Sequence, residues 1–177
     1  RGRYAADEVV YEADPTATVF PKSIPIVVLV DQRSASASEI VAACLQDHRR
    51  AVIAGQRTWG KGTVQNVIPF ERGTSALKLT TASYWRPNGQ NIHRAEDADE
   101  KDTWGVKPEA DLDVELTEEQ YLTLIQQRNA RDVLSVEDTA HSPAVTPVPD
   151  PQLDRAVEYL QKKRESGVGS RESGVGK

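Results

Sequence analysis

Two short segments of the chain carry side chains that could do covalent chemistry together. The first is Ser34-Ala35-Ser36-Ala37-Ser38-Glu39, which places three hydroxyls just ahead of an apolar helical pattern at Ile40, Val41, Cys44 and Leu45. A serine there would present its hydroxyl where a strand ends and a helix begins. The amide of Ala37, in the first turn, has no acceptor inside the helix, so it can point at an oxyanion that the helix dipole also favours. The second segment is Thr58-Trp59-Gly60-Lys61-Gly62-Thr63-Val64-Gln65, in which glycines flank a lysine. Glycines let the backbone approach other groups closely, and desolvation lowers an amine's pKa toward neutrality. A neutral amine can take a proton from a serine hydroxyl without a histidine. Gln65 follows four positions later; in an extended chain it lies on the face of Lys61 and its amide could orient the amine. Each segment also has a plain structural reading: serines as caps and small packing residues, and a solvated lysine in a glycine turn.

Other chemistries fit less well. Gly55, Gly60 and Lys61 partly match a phosphate-binding P-loop, but Gly62 stands where Ser or Thr is needed, and the continuation Val64–Phe70 is β-like rather than helical. His48, near the expected helix end, His93, in a turn-rich region, and His141, in the linker, do not make a conventional triad. The acids Glu96, Asp97, Asp99, Glu100 and Asp102 lack the spacing of a calcium loop and read as solvated. No cofactor or metal is expected. Net charge is −5, which argues against nucleic acid as a partner. The single Cys44 excludes an internal disulfide and is expected in the core.

The elements that must position these residues can be read from the hydrophobic pattern. Residues 1–23, broken by Pro15 and Pro21, read as an irregular lead-in. Ile24 to Val30 is the longest apolar stretch, too short to span a bilayer, and reads as a buried strand. The helix after the serines is expected to end near His48, and Ala51–Gly55 to be the next strand, giving a right-handed α/β unit. Val64–Phe70 and Ser75–Trp85 read as a β-hairpin joined at Glu71–Thr74, with a second turn at Arg86-Pro87-Asn88-Gly89. Thr117 and Gln120 have capping-box spacing ahead of a helix to about Asp132. The expected organisation is therefore a core at 24–134, a proline-containing linker at 135–149, and a helix at 150–163 carrying Leu153, Val157 and Leu160. The tail at 164–177, which repeats RESGVG, is expected to be disordered. The sequence contains no methionine, so the chain is expected to begin inside a longer polypeptide or at a processed end.

Taken together, SASASEI, the helix end Leu45-Gln46-Asp47-His48 and Arg57-Thr58-Trp59-Gly60-Lys61-Gly62-Thr63-Val64-Gln65 resemble the carboxy-terminal processing (tail-specific) proteases of peptidase family S41. The Ser75–Tyr84 stretch, the Pro87-Asn88-Gly89 turn and Asp150-Pro151-Gln152-Leu153 fit the same family. The resemblance covers about residues 24–163 and implies a crotonase/ClpP-like α/β core with an additional β-hairpin region and C-terminal helices. It implies a serine endopeptidase that cuts protein or peptide substrates near their carboxyl ends. Ser36 would be the nucleophile, Lys61 the base, Gln65 the orienting residue and the Ala37 amide an oxyanion donor. The spacing of Ser36 and Lys61 is the one the family uses, which selects the middle serine. Asp31-Gln32-Arg33 departs from the usual Asn-x-Gly, so Arg33 alters the charge near the cleft; Trp59 stands where phenylalanine is common. Relatives also carry a PDZ-like domain and an Arg-x-Asn-x-Gly-Gly segment that supplies a second oxyanion donor. Neither occurs in this sequence, so weak or absent activity is expected of the chain alone. The resemblance further implies an exported location, periplasmic or similar, near a membrane through an N-terminal part not in this sequence. The alternative reading is a non-catalytic ligand-binding module on the same fold, marked by an apolar cavity in place of a cleft.

Overall fold

The computed structural model describes residues 12, 14–132 and 148–172. The expected linker therefore lies almost wholly outside the described residues, as do His141, most of the lead-in and the last five residues.

A parallel pair of strands, β1 (Val27–Val30) and β2 (Val52–Gly55), lies at the centre, joined through helix α1 (Ala37–Asp47). Alternate side chains go to opposite faces, as a strand requires. Val30 and Ile53 pack with Ala42 and Ala43 of α1 and with Ile92 and Val106, while Val28 and Ile40 cover this cluster. Ala54 packs on the other face against Leu112 and Ala156, with Val27, Val52 and Tyr159 around it. Ala156 and Tyr159 belong to α3 (Pro151–Glu172), so helices cover both faces and apolar residues follow one another along each strand. The chain is thus mixed α/β. β1 is less buried than expected: Leu29 is 40% exposed. Only one edge of β1 is paired among the described residues.

Strands β3 (Thr63–Phe70) and β4 (Ser75–Ser83) form an antiparallel ribbon, with Glu71, Arg72 and Gly73 turning at positive φ. A register shift between Val64 and Gln65 leaves Thr81 as the extra residue on β4. Helix α2 (Glu118–Asp132) opens on the expected box, with the Thr117 amide donating to Gln120 Oε1 (2.9 Å) and the Gln120 amide to Thr117 Oγ1 (3.2 Å). Helix α3 runs past the expected end at Lys163 into the segment expected to be disordered. Cys44 is exposed rather than in the core: helix periodicity turns Ala42 and Ala43 to the sheet and leaves the next position outside.

Candidate functional site

Between β1 and α1 the chain makes a tight turn. Asp31 Oδ1 accepts from the Arg33 and Ser34 amides at 2.8 and 2.9 Å, and Ser34 Oγ accepts from the Asp31 amide at 3.1 Å. Ser34 is thereby used inside the turn. Ser36 differs from it in backbone as well as in partners. It stands at the N-cap of α1 with φ 59° and ψ −118°, a conformation that L-residues with a side chain rarely adopt. Strain of this kind costs about 1–3 kcal/mol and persists only where the surroundings enforce it. Ala37 opens the helix, so its amide sits at the unsatisfied amino end.

What enforces the turn is Glu39, a carboxylate with no exposed surface. Its Oε2 accepts from the Ser36 amide (2.9 Å) and from the Lys61 amide (2.8 Å). Its Oε1 accepts from the Gly60 amide (2.7 Å) and from Thr58 Oγ1 (2.5 Å). Thr58 Oγ1 in turn accepts from the Val106 amide at 2.8 Å. Four donors satisfy the buried charge, and one oxygen joins the serine turn to the lysine loop. The Trp59 amide adds a direct bond to Ser34 O at 3.0 Å.

The glycines fit the loop into place. Gly60 has φ +87°, and a Cβ there would meet Arg94 Cβ at 2.7 Å and the Trp104 ring at 2.9 Å. A Cβ on Gly62 would lie 2.3 Å from the His93 amide nitrogen. Glycine is therefore required on either side of Lys61 for close backbone approach.

The structure brings the backbones of Ser36 and Lys61 together, with Gln65 on β3 just beyond. It does not join their side chains: among the described residues no hydrogen bond links Ser36 Oγ, Lys61 Nζ and Gln65. Lys61 and Gln65 are exposed, so the burial expected for the amine is not supplied here. Beside the lysine loop lies a cleft of about 410 Å³ whose lining includes Arg33, Arg57, Trp59, Arg94 and Trp104. It is polar and charged rather than an apolar cavity. Sequence reasoning missed Glu39 as the centre of the site; the signal present was the Ser36-x-x-Glu39 capping-box spacing. Thr58 carried no signal.

At the far end of α1, Asp47 holds the Arg86–Gly89 turn. Arg86 Nη2 donates to Asp47 Oδ1 at 2.5 Å and to Gln46 Oε1 at 2.9 Å, and Asn88 donates to Asp47 from its amide and its side chain. Burial pushes the Asp47 carboxyl up, but the Arg86 and Asn88 hydrogen bonds and the Arg86 charge outweigh it and hold it below the usual range. Among the described residues no group of His, Cys, Asp and Glu could hold a metal, and no helix is long and apolar enough to cross a membrane.

The site is thus a strained serine at the amino end of a helix, bound through one buried carboxylate to a Gly-Lys-Gly loop, in an α/β protein. Residues 1–112 match the family described as Peptidase family S41, and the chain belongs to that family. It is 59% identical over 69 residues to a carboxy-terminal-processing protease of Bartonella bacilliformis, covering 38% of this chain and 15% of the relative. It is 38% identical over 107 residues to a chloroplastic C-terminal processing peptidase of Tetradesmus obliquus, covering 60% and 20%. Among solved structures, the photosystem II D1 C-terminal processing protease matches with 40% identity and a TM-score of 0.42, over 51% of this chain and 20% of that one. The chain thus spans a fifth or less of the length of these relatives.

Proposed function

We propose that this chain carries the nucleophile and base of a serine endopeptidase that cleaves protein substrates near their carboxyl ends, on a crotonase/ClpP-like core. The observation that carries the reading is Ser36 at positive φ on the amino end of α1, with its amide on the same Glu39 oxygen as the amide of Lys61. Family membership supports it. Ser36 Oγ attacks the scissile carbonyl carbon while neutral Lys61 Nζ takes its proton. The oxyanion is met by the Ala37 amide. Collapse breaks the C–N bond, and the leaving amine takes the proton from Lys61, leaving an ester on Ser36. Water, deprotonated by Lys61, then attacks the ester and restores the serine. Gln65 orients the lysine amine, and substrate lying over the exposed lysine removes the water that would keep it charged. With Ala37 as the one oxyanion donor assigned, turnover by this chain alone is slow, since one missing donor costs about 100- to 1000-fold. An exported compartment is part of the same reading.

The test is digestion of an unfolded protein by wild type, Ser36→Ala and Lys61→Ala, in this chain and in a parent-length protein. Cleavage that both substitutions abolish is expected. Cleavage that persists in Ser36→Ala would give the nucleophile's role to another residue.

A further inference from the structure

The cleft beside the lysine loop holds an unusual set of cations. Arg57 and Arg94 both lie over the Trp104 ring, with Cζ 3.7 and 4.5 Å from its centroid. Arg57 is committed: it donates to the backbone carbonyls of Glu100, Asp102 and Trp104 and so anchors that loop. Arg94 is not. Its guanidinium has no hydrogen bond and no ion pair among the described residues. Arg33, which also lines the cleft, lies over the Tyr121 ring at 4.7 Å and likewise has no ion pair among them. The cleft also contains Glu100, Asp113 and Glu115, but none comes within ion-pairing distance of Arg33 or Arg94. Each of the two free guanidiniums therefore rests on an aromatic ring, which limits its motion while leaving its donors open.

Their positions relate them to the chemistry. The Arg94 amide donates to Gly60 O at 2.9 Å, one residue before Lys61. Arg33 lies in the turn three residues before Ser36. The two arginines thus join by their backbones to the two segments that would act on a bound peptide, and the cleft they line reaches Thr58 and Trp59 of the lysine loop, though not Ser36 or Lys61 themselves.

We propose that this cleft is a carboxylate-binding specificity subsite, in which Arg94 and Arg33 select peptides with a carboxylate a few residues from the bond that is cut. The proposal rests on the endopeptidase reading. The carboxylate comes either from an Asp or Glu side chain or from the substrate's own carboxyl terminus, and Arg forks pair with both in the same way.

The test uses the 177-residue chain with Ser36→Ala, so that binding is read without turnover. One unstructured peptide is titrated in four forms, with Asp or Asn at one position and a free or amidated carboxyl terminus, by calorimetry and indole fluorescence. Peptides with a carboxylate are expected to bind about tenfold tighter than the form with none, the scale of a charge-assisted hydrogen bond. Arg94→Gln should bring that ratio to within about twofold, Arg33→Gln should reduce it, and Arg94→Lys should restore part of it. Selectivity confined to the Asp arm assigns a side-chain carboxylate, and selectivity confined to the amidation arm assigns the terminus. Equal binding of all four forms, or none, overturns the subsite, as does selectivity that survives Arg94→Gln together with Arg33→Gln. Cleavage by wild type without carboxylate selectivity would remove the subsite alone. Selective binding without cleavage in the parent-length protein would keep it and remove the endopeptidase reading.

Discussion

Ser36 and Glu39 set the site at the scale of single residues. The φ of 59° at Ser36 costs free energy that glycine would not incur, because glycine has no Cβ to clash. Ser36→Gly is therefore expected to be more stable than Ser36→Ala by about 1 kcal/mol in urea unfolding, although both lose the hydroxyl. Equal midpoints would mean that the turn relaxes when the hydroxyl is gone. Glu39 stands at the opposite end of the balance. Replacing it with alanine leaves the Ser36, Gly60 and Lys61 amides and the Thr58 hydroxyl without their acceptor. Each buried unsatisfied donor costs about 1–3 kcal/mol, less whatever water recovers, so a loss of about 3 kcal/mol or more is expected for Glu39→Ala. Glu39→Gln should fall close to it, because half of its amide head is a donor facing donors. A loss below about 1 kcal/mol in either variant would show that water replaces the carboxylate readily.

Between elements, α1 is fastened at both ends, and the fastening at its carboxyl end responds to acid. Asp47 and Arg86 are 8% and 9% exposed at the side chain, and Asp47 titrates lower in the folded chain than its ordinary 3.8. A carboxyl with a lowered folded pKa binds its proton more readily when unfolded, so its contribution is complete above 3.8 and is lost as pH falls through the lower folded value. Urea midpoints of wild type are thus expected to drop as pH falls below 3.8, with a smaller drop in Arg86→Gln, which starts lower by about 3 kcal/mol. Parallel curves would place the acid sensitivity elsewhere. The elements themselves were largely legible in the sequence. The β-branched run became β1, the apolar pairs at Ile40 and Cys44 marked a helix, the Asn-Gly turn formed, and the Thr117–Gln120 box closed. Cys44 was misjudged because its pattern position says helical but not which face. The Glu39 hub was hidden for another reason. Three of its four donors come from a loop about twenty positions away, and no local periodicity records such pairings. Side-chain placement of Lys61 was likewise illegible, since glycine spacing predicts close backbone approach but not whether the amine is covered.

At the scale of the whole molecule, the chain has two parts of unequal support. The parallel pair lies between helices, with Ile53 and Ala54 fully buried. The β3–β4 ribbon has no such cover beyond Val64 and Ala82: Val67, Ile68, Phe70, Leu77 and Leu79 are all exposed large apolar side chains. Cross-strand contact between Ile68 and Leu77 is one of the few packing terms available to it. A two-stranded ribbon on its own is marginal in water, so its amides should exchange through local opening rather than through global unfolding. Native-state hydrogen exchange is expected to give amides between Asn66 and Leu79 protection at least about a hundredfold below those of Val28, Val30 and Ile53. The substitution Ile68→Ala should lower ribbon protection further while leaving the protection of Ile53 within about twofold, because a subglobal opening does not draw on the core's stability. Equal protection in both parts would mean that the ribbon's apolar side chains are covered in solution. Sedimentation would then test whether the cover comes from an assembly larger than one chain of 19.5 kDa.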